Sequence, residues 1–100
     1  MGTRVNWSPE AIDDVDTIAA YIAKDSPYYA SAVVKKILDT ANSLDSFPYI
    51  GPIVPELDEP EFRERSVYSY RLIYRVLDEK VLIVAVIHGR RLLDPVTLLR

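Results

Sequence analysis

The sequence predicts an α+β fold of order βααβββ, in which an N-terminal helical hairpin packs on a small, mostly antiparallel sheet. Apolar residues recur at helical spacing through most of the first 45 residues, which predicts the helices. Runs of β-branched and aromatic residues between positions 62 and 88 predict the strands. The chain has 100 residues, 49% of them hydrophobic, so we expect one domain spanning residues 1–100.

The first half of the chain is predicted to form a short strand and two helices. Arg4-Val5-Asn6-Trp7 alternates weakly between polar and apolar residues, as a short strand does. Ser8-Pro9-Glu10 begins a helix over Pro9–Lys24, because serine caps free N–H groups and proline suits the first helical position. Asp25-Ser26-Pro27 ends this helix and begins a second one, which ends near Asp45. Helices joined by so short a turn should form an antiparallel hairpin.

A proline-rich connector follows the second helix. Four prolines and one glycine between positions 47 and 60 remove backbone donors and disfavour helix, so the segment should be irregular. Its apolar side chains indicate that it packs on the domain and is not an interdomain linker: Phe47, Ile50, Ile53, Val54 and Leu57.

Three strands are predicted after the connector, at Phe62–Val67, Tyr70–Leu77 and Val81–His88. Tyr68-Ser69 forms the first turn between them and Asp78-Glu79-Lys80 forms the second, tight one. The tail from residue 92 to residue 100 is compatible with either a short helix or an irregular end.

Composition excludes several classes of protein. The chain has no cysteine, which excludes disulfides and thiolate metal sites. The N-terminus lacks an apolar stretch of signal-peptide length, and no segment approaches the roughly 20 apolar residues of a membrane span. We therefore expect a soluble, cytoplasmic protein without a metal or cofactor.

The charge is distributed unevenly along the chain. The formal net charge is −3. Residues 1–62 carry four basic residues against eleven acids, a net of −7, whereas residues 63–100 carry eight basic residues against four acids, a net of +4. This asymmetry indicates a localised basic site, although a solvated charged surface is the simpler interpretation.

The basic residues of the second half fall on the predicted strands. Arg63 and Arg65 are two apart on one strand, so their side chains should leave the same face of the sheet. Arg71 begins the next strand. If the three strands are neighbours, these arginines could gather on one surface with the residues that end the last strand: His88, Arg90 and Arg91.

Such a cluster would suit phosphate, because guanidinium groups stay charged and their fork of N–H donors matches phosphate oxygens. His88 is the only histidine and has an unperturbed pKa near neutrality, so it could act as an acid or base. Tyr70 could stack on a base. The structural alternatives are that His88 only hydrogen-bonds at a strand end, that Tyr70 only packs, and that Arg71 and Arg75 pair with acids on the helices.

An ordered set of short segments resembles the RelE/ParE toxin superfamily over nearly the whole chain. These segments are Trp7-Ser8-Pro9-Glu10-Ala11, Ile18–Ala23, Phe47-Pro48-Tyr49-Ile50-Gly51, Val54-Pro55-Glu56-Leu57, Arg63-Glu64, Tyr70–Val76 and Ile87-His88-Gly89-Arg90-Arg91. The resemblance implies a toxin of a bacterial type II toxin–antitoxin pair, of the kind linked to plasmid stabilisation. It also implies neutralisation by a cognate antitoxin in a hetero-oligomeric complex.

RelE-like members cut messenger RNA on the ribosome without a metal, so the resemblance implies an endoribonuclease. Arg71 matches that subgroup's strand arginine after a tyrosine, and Arg91 matches its arginine two places after a glycine at the end of the last strand. The resemblance implies that both act in catalysis by stabilising the transition state. Arg63 and Arg65 stand where the subgroup has two lysines. Arg90 would add a further phosphate contact.

The tyrosine that RelE-like members carry in the tail falls on Thr97 here, so the general base would be His88 or Glu56. For Glu56, in the proline-rich connector, a structural hydrogen-bonding role is the favoured interpretation. ParE-like members share the fold but poison DNA gyrase without catalysis, and the Ile87–Arg91 ending and the pI of about 5.0 fit them too. RNA cleavage is the first expectation, gyrase inhibition the alternative, and an inactive or unrelated binding domain the second alternative.

Overall fold

The computed structural model describes residues 4–94, and within them two helices and four strands occur in the predicted order. The elements are β1 (Arg4–Trp7), α1 (Pro9–Ala23), α2 (Pro27–Ser43), β2 (Phe62–Val67), β3 (Tyr70–Leu77) and β4 (Lys80–His88). The sheet order is β1-β4-β3-β2, with β1 parallel to β4 and the other neighbours antiparallel. The predicted α+β fold is confirmed. The prediction for the end of the tail, including Thr97, lies outside the described residues.

Both helices begin at the serine–proline signals. The Ser8 hydroxyl accepts a hydrogen bond from the Ala11 N–H at 3.0 Å, and the Ser26 hydroxyl accepts one from the Tyr29 N–H at 3.1 Å. A proline occupies the first turn of each helix, where its missing N–H costs no hydrogen bond. Neither helix is long and apolar enough to cross a lipid bilayer.

The main core lies between the helical hairpin and one face of the sheet, here called the helix-side face. Each helix buries one apolar stripe there, as its spacing predicts. The buried members on the helices are Ala11, Val15, Ile22, Ala30, Val33, Ile37 and Ala41, and those on the strands are Val67, Leu72, Tyr74, Val76, Val81, Ile83 and Val86.

The connector covers part of the opposite face of the sheet, here called the connector-side face. Val54 is buried there, and its N–H donates to the Phe62 carbonyl at 2.9 Å. A second, smaller core results, formed by Val54, Ile73, Ala85, Ile87 and Leu93. The connector therefore packs on the domain, as its apolar residues predict, although Phe47 and Ile50 near its start remain exposed.

β4 contains one extra residue relative to β3, located between Ile83 and Ala85. Beyond this bulge, the N–H of Val86 donates to the carboxylate of Asp14 on α1 at 3.0 Å. Val86 lies beyond Ile83, the last β4 residue that pairs with β1, and a buried N–H without a partner there would be costly. The contact ties α1 to the half of β4 that leads to the candidate site.

Gly51 is required by close packing. A Cβ atom at this position would overlap the Glu64 carbonyl oxygen and lie 2.9 Å from the Tyr74 hydroxyl oxygen. The Gly51 N–H itself donates to that hydroxyl at 3.1 Å, and Tyr74 is fully buried. The connector is therefore anchored to β2 and β3 at Gly51, where a side chain on this residue would displace the backbone of β2.

We expect Gly51→Ala to lower the free energy of unfolding by about 1–3 kcal/mol, because overpacking forces the backbone to shift. Urea denaturation followed by circular dichroism measures this. Ser31→Ala, on the exposed surface of α2, is the control and should change stability by less than about 0.5 kcal/mol. Equal stability of the two variants would contradict the close-packing argument.

Candidate functional site

A shallow depression of about 680 Å³ lies where the β2–β3 turn meets the end of β4 and the connector. The Gly89 N–H donates to the Ser69 carbonyl at 2.7 Å, which holds the end of β4 beside the turn. We call this the Arg71 depression, since Arg71 lies in it with Glu56, Glu64, Tyr68, Arg90 and Arg91.

Arg71 uses all of its donors within the protein. Its two terminal nitrogens donate to the two carboxylate oxygens of Glu56 at 2.7 and 2.8 Å, in a bidentate pair. Its Nε donates to Glu64 at 2.9 Å, and one terminal nitrogen also contacts that carboxylate. The fifth bond runs from Nη1 to the Arg91 carbonyl at 3.1 Å. A guanidinium has five N–H donors, so none remains for a ligand.

This network is largely shielded from water. The side chains of Arg71, Glu56 and Glu64 are exposed by only 12%, 16% and 20%. The hydrogen bonds from Arg71 lower the pKa of Glu56 to about 2, and the bonds to Glu56 raise the pKa of Arg71 further above its high ordinary value. Glu56 also accepts from the Leu93 N–H at 2.8 Å. The network therefore joins the connector, β2, β3 and the segment after β4.

Arg63 and Arg65 lie on the helix-side face, away from the Arg71 depression. They stand opposite Tyr74 and Leu72, which belong to the core beneath the helices. Arg63 donates to the Pro60 carbonyl at 2.8 Å and to the Gly51 carbonyl at 3.2 Å, and its guanidinium lies over the Tyr49 ring. The Nε of Arg65 is buried without a hydrogen-bond partner among residues 4–94. Arg63 thus holds the connector in place.

His88 and Tyr70 form a cross-strand pair on the helix-side face. Their rings meet edge to face, with centroids 5.8 Å apart. The Nδ1 of His88 accepts a hydrogen bond from the Arg90 N–H at 3.2 Å, so the Nε2 position carries the proton when the ring is neutral. His88, Arg90 and Arg91 are exposed at the end of β4.

The expected single surface of converging arginines is wrong. The two-residue turn pairs Val67 with Tyr70 and therefore Ser66 with Arg71, which places Arg71 one step out of phase with Arg63 and Arg65. Side chains alternate between faces along a strand, so Arg71 leaves the opposite face of the sheet. His88 shares the helix-side face with Tyr70, and of the predicted site residues Tyr70, Arg90 and Arg91 line the depression beside Arg71.

The alternative that Arg71 and Arg75 pair with acids on the helices is right about the pairing and wrong about the partners, because none of their carboxylates lies on α1 or α2. Arg71 pairs with Glu56 and Glu64, and the Nε of Arg75 lies 2.6 Å from Glu61. Sequence reasoning missed Glu64 as a partner, although its phase on β2 placed it on the face of Arg71 once the turn is two residues long. Among the described residues, no group of three or more histidines and carboxylates could hold a metal ion.

The sequence profile of one protein family, described as the ParE toxin of the type II toxin–antitoxin system parDE, matches residues 5–93. A comparison with curated protein sequences finds no match.

Solved structures of similar fold include toxins from several bacteria. A chromosomal ParDE toxin–antitoxin system from P. aeruginosa gives a TM-score of 0.71 at 20% identity, covering 86% of this chain and 95% of that one. E. coli toxin RelE, as a free double arginine-to-alanine mutant, gives 0.64 at 19% identity, covering 90% and 86%. The YoeB dimer from Staphylococcus aureus gives 0.61 at 20% identity, covering 88% and 98%. At these identities the likeness shows the fold alone.

We expect Arg71→Ala to destabilise the protein by about 3–5 kcal/mol, because it leaves two shielded carboxylates without their counter-ion. Chemical denaturation at pH 7 measures the change. Lys35→Ala removes an ion pair with Asp39 and is the control; it should leave stability nearly unchanged, because both side chains are exposed and water screens the pair. A stable, folded Arg71→Ala protein would contradict a structural role for the network.

We expect stability to fall as the pH drops from about 4.5 to about 2. The folded-state pKa of Glu56 is depressed to about 2 from an ordinary value of 4.5, so its contribution is present above pH 4.5 and lost towards pH 2. The loss from this group should be roughly 1–3 kcal/mol. Urea denaturation at several pH values measures it. Glu56→Gln should be less stable at pH 7 and show a shallower acid dependence, and identical pH profiles would contradict this assignment.

Proposed function

Since the chain belongs to the family of ParE toxins of type II toxin–antitoxin systems, we propose that it stops growth by binding DNA gyrase and not by cleaving messenger RNA. The observation that carries this proposal is the saturation of Arg71. The resemblance to RelE-like ribonucleases assigned Arg71 a catalytic role, and its five donors are all engaged by the protein itself.

RNA cleavage at this site would require positive groups that converge on one phosphate. Stabilising charge in a transition state depends on donors aimed at the reacting oxygens before the reaction begins. Here the guanidinium of Arg71 is neutralised by Glu56 and Glu64, while Arg63 and Arg65 lie across the sheet. His88, the proposed acid or base, lies on the helix-side face with Tyr70 and not with Arg71. These positions favour a non-catalytic toxin.

The charge of the chain supports the same conclusion. A nucleic-acid ligand is attracted mainly by positive charge, because phosphate contacts dominate such affinity. This chain has a formal net charge of −3 and a pI of about 5.0. An inhibitor that binds a protein needs a complementary surface and no catalytic group.

We also infer that a cognate antitoxin binds this chain. Solved relatives of the same fold are described as a ParDE system, as the RelBE2 toxin–antitoxin complex of Mycobacterium tuberculosis and as a YoeB–YefM complex of Staphylococcus aureus. A growth-inhibiting protein of this family would require such a partner in order to be produced safely.

We expect the purified chain to inhibit supercoiling by DNA gyrase at micromolar concentration and to leave linear DNA after protein digestion, because a trapped cleavage complex holds both strands broken. An agarose-gel supercoiling assay measures both effects. The chain bound to its antitoxin is the control and should have no effect.

Induction in growing cells provides the second arm of this experiment. Growth should stop while messenger RNA, followed by primer extension on abundant transcripts, stays intact. Cleaved transcripts together with unaffected gyrase would overturn the proposal and show that the chain acts by cleaving messenger RNA.

A further inference from the structure

Five aromatic side chains from five segments lie together at one end of the molecule, and we call them the tyrosine patch: Tyr21, Tyr29, Tyr68, Tyr70 and His88. The rings of Tyr29 and Tyr68 are 6.2 Å apart, and those of Tyr70 and His88 are 5.8 Å apart. Burial, and after it the nearby hydroxyls of Tyr21 and Tyr29, raise the pKa of Tyr70. Tyr21, Tyr70 and His88 also line one groove of about 390 Å³ between α1 and β4.

The patch is exposed at a cost to the fold. Tyr21 is 69% exposed and Tyr68 is 58% exposed, although each ring could bury a large apolar area. Tyr68 also has a φ of 53°, in the left-handed region that favours glycine or asparagine in a turn. A tyrosine in this conformation does not stabilise the turn. Strained backbone of this kind is typical of functional sites.

The rim of the patch is positive and available for ion pairs. Arg90 and Arg91 follow His88 directly, beside the turn that carries Tyr68. Within residues 4–94 their guanidinium groups make no hydrogen bond or ion pair, in contrast to Arg71 and Arg75. Tyrosine and arginine are the residue types that carry most binding energy in protein interfaces.

The orientation of the rings favours a protein partner over single-stranded nucleic acid. Successive bases stack on aromatic faces that are presented in sequence along a positive groove. Here the Tyr29 and Tyr68 planes are inclined by 57° and the Tyr70 and His88 planes by 77°, so neighbouring rings pack against each other edge-on.

From these observations we infer that the tyrosine patch, with Arg90 and Arg91 at its rim, is the surface that contacts gyrase, at a region presenting carboxylates beside apolar side chains. The inference rests on the proposed function and adds the location of the contact and the chemistry of the partner. The exposed rings of Tyr21 and Tyr68 are its anchors. The two guanidinium groups supply the charged contacts around them.

The test compares supercoiling inhibition by purified variants. Tyr21→Ala combined with Tyr68→Ala should raise the toxin concentration for half-inhibition at least about tenfold, because two anchors are removed. Tyr21→Phe combined with Tyr68→Phe keeps the ring area and should stay within about threefold of the parent chain.

Tyr49→Ala is the matched control. Tyr49 is 59% exposed, almost the same as Tyr68, but lies over Arg63 at the opposite end of β2. This variant should inhibit gyrase like the parent chain. Thermal unfolding of all variants by circular dichroism checks that each is folded.

Each remaining outcome decides the matter. If the parent chain inhibits gyrase and the double alanine variant inhibits it equally, the patch is not the contact surface and the proposed function stands. If the parent chain does not inhibit gyrase, both are wrong. If the parent chain binds a 20-nucleotide dT oligomer by fluorescence anisotropy, and the double alanine variant alone loses that binding, the patch is a nucleic-acid site and the inference is overturned.

Discussion

The ion pairs of Arg71 with Glu56 and Glu64 hold together the end of the sheet that carries the β2–β3 turn and the end of β4. One guanidinium joins β3 to β2, to the connector and to the segment after β4. Water reaches it poorly, so its electrostatic contacts are strong and the loss of either kind of partner is costly. An irregular connector rich in proline has few backbone bonds of its own, and this network, with Gly51, fixes its course over the sheet.

The fold was largely predictable because its signals are local. Ser8-Pro9 and Ser26-Pro27 set the helix starts through side-chain caps that need no tertiary information. The parallel pairing of β1 with β4 and the extra residue in β4 were not predictable. Both features depend on how the sheet packs against the helical hairpin. Asp14 illustrates this: nothing in its sequence neighbourhood indicates a backbone donor 72 positions away.

The candidate site was only partly predicted, although the two-residue turn at Tyr68-Ser69 fixes which strand arginines share a face. Arg90 and Arg91 do lie beside Arg71, as expected from the strand ends. A turn of two residues, however, reverses the alternation between Arg65 and Arg71, so identical side chains on adjacent strands face opposite ways. The tyrosine patch was missed for a different reason. Its five members are scattered from position 21 to position 88 and share no spacing.

Two carboxylates beside a single guanidinium give the triad of Arg71, Glu56 and Glu64 a formal charge of −1 at neutral pH. The floor of the depression is therefore anionic, while Arg90 and Arg91 make its edge cationic. A local dipole of this kind attracts an acidic partner to the edge and repels it from the floor. This charge separation would orient the partner in the encounter complex before close contacts form. Higher ionic strength would weaken this electrostatic steering.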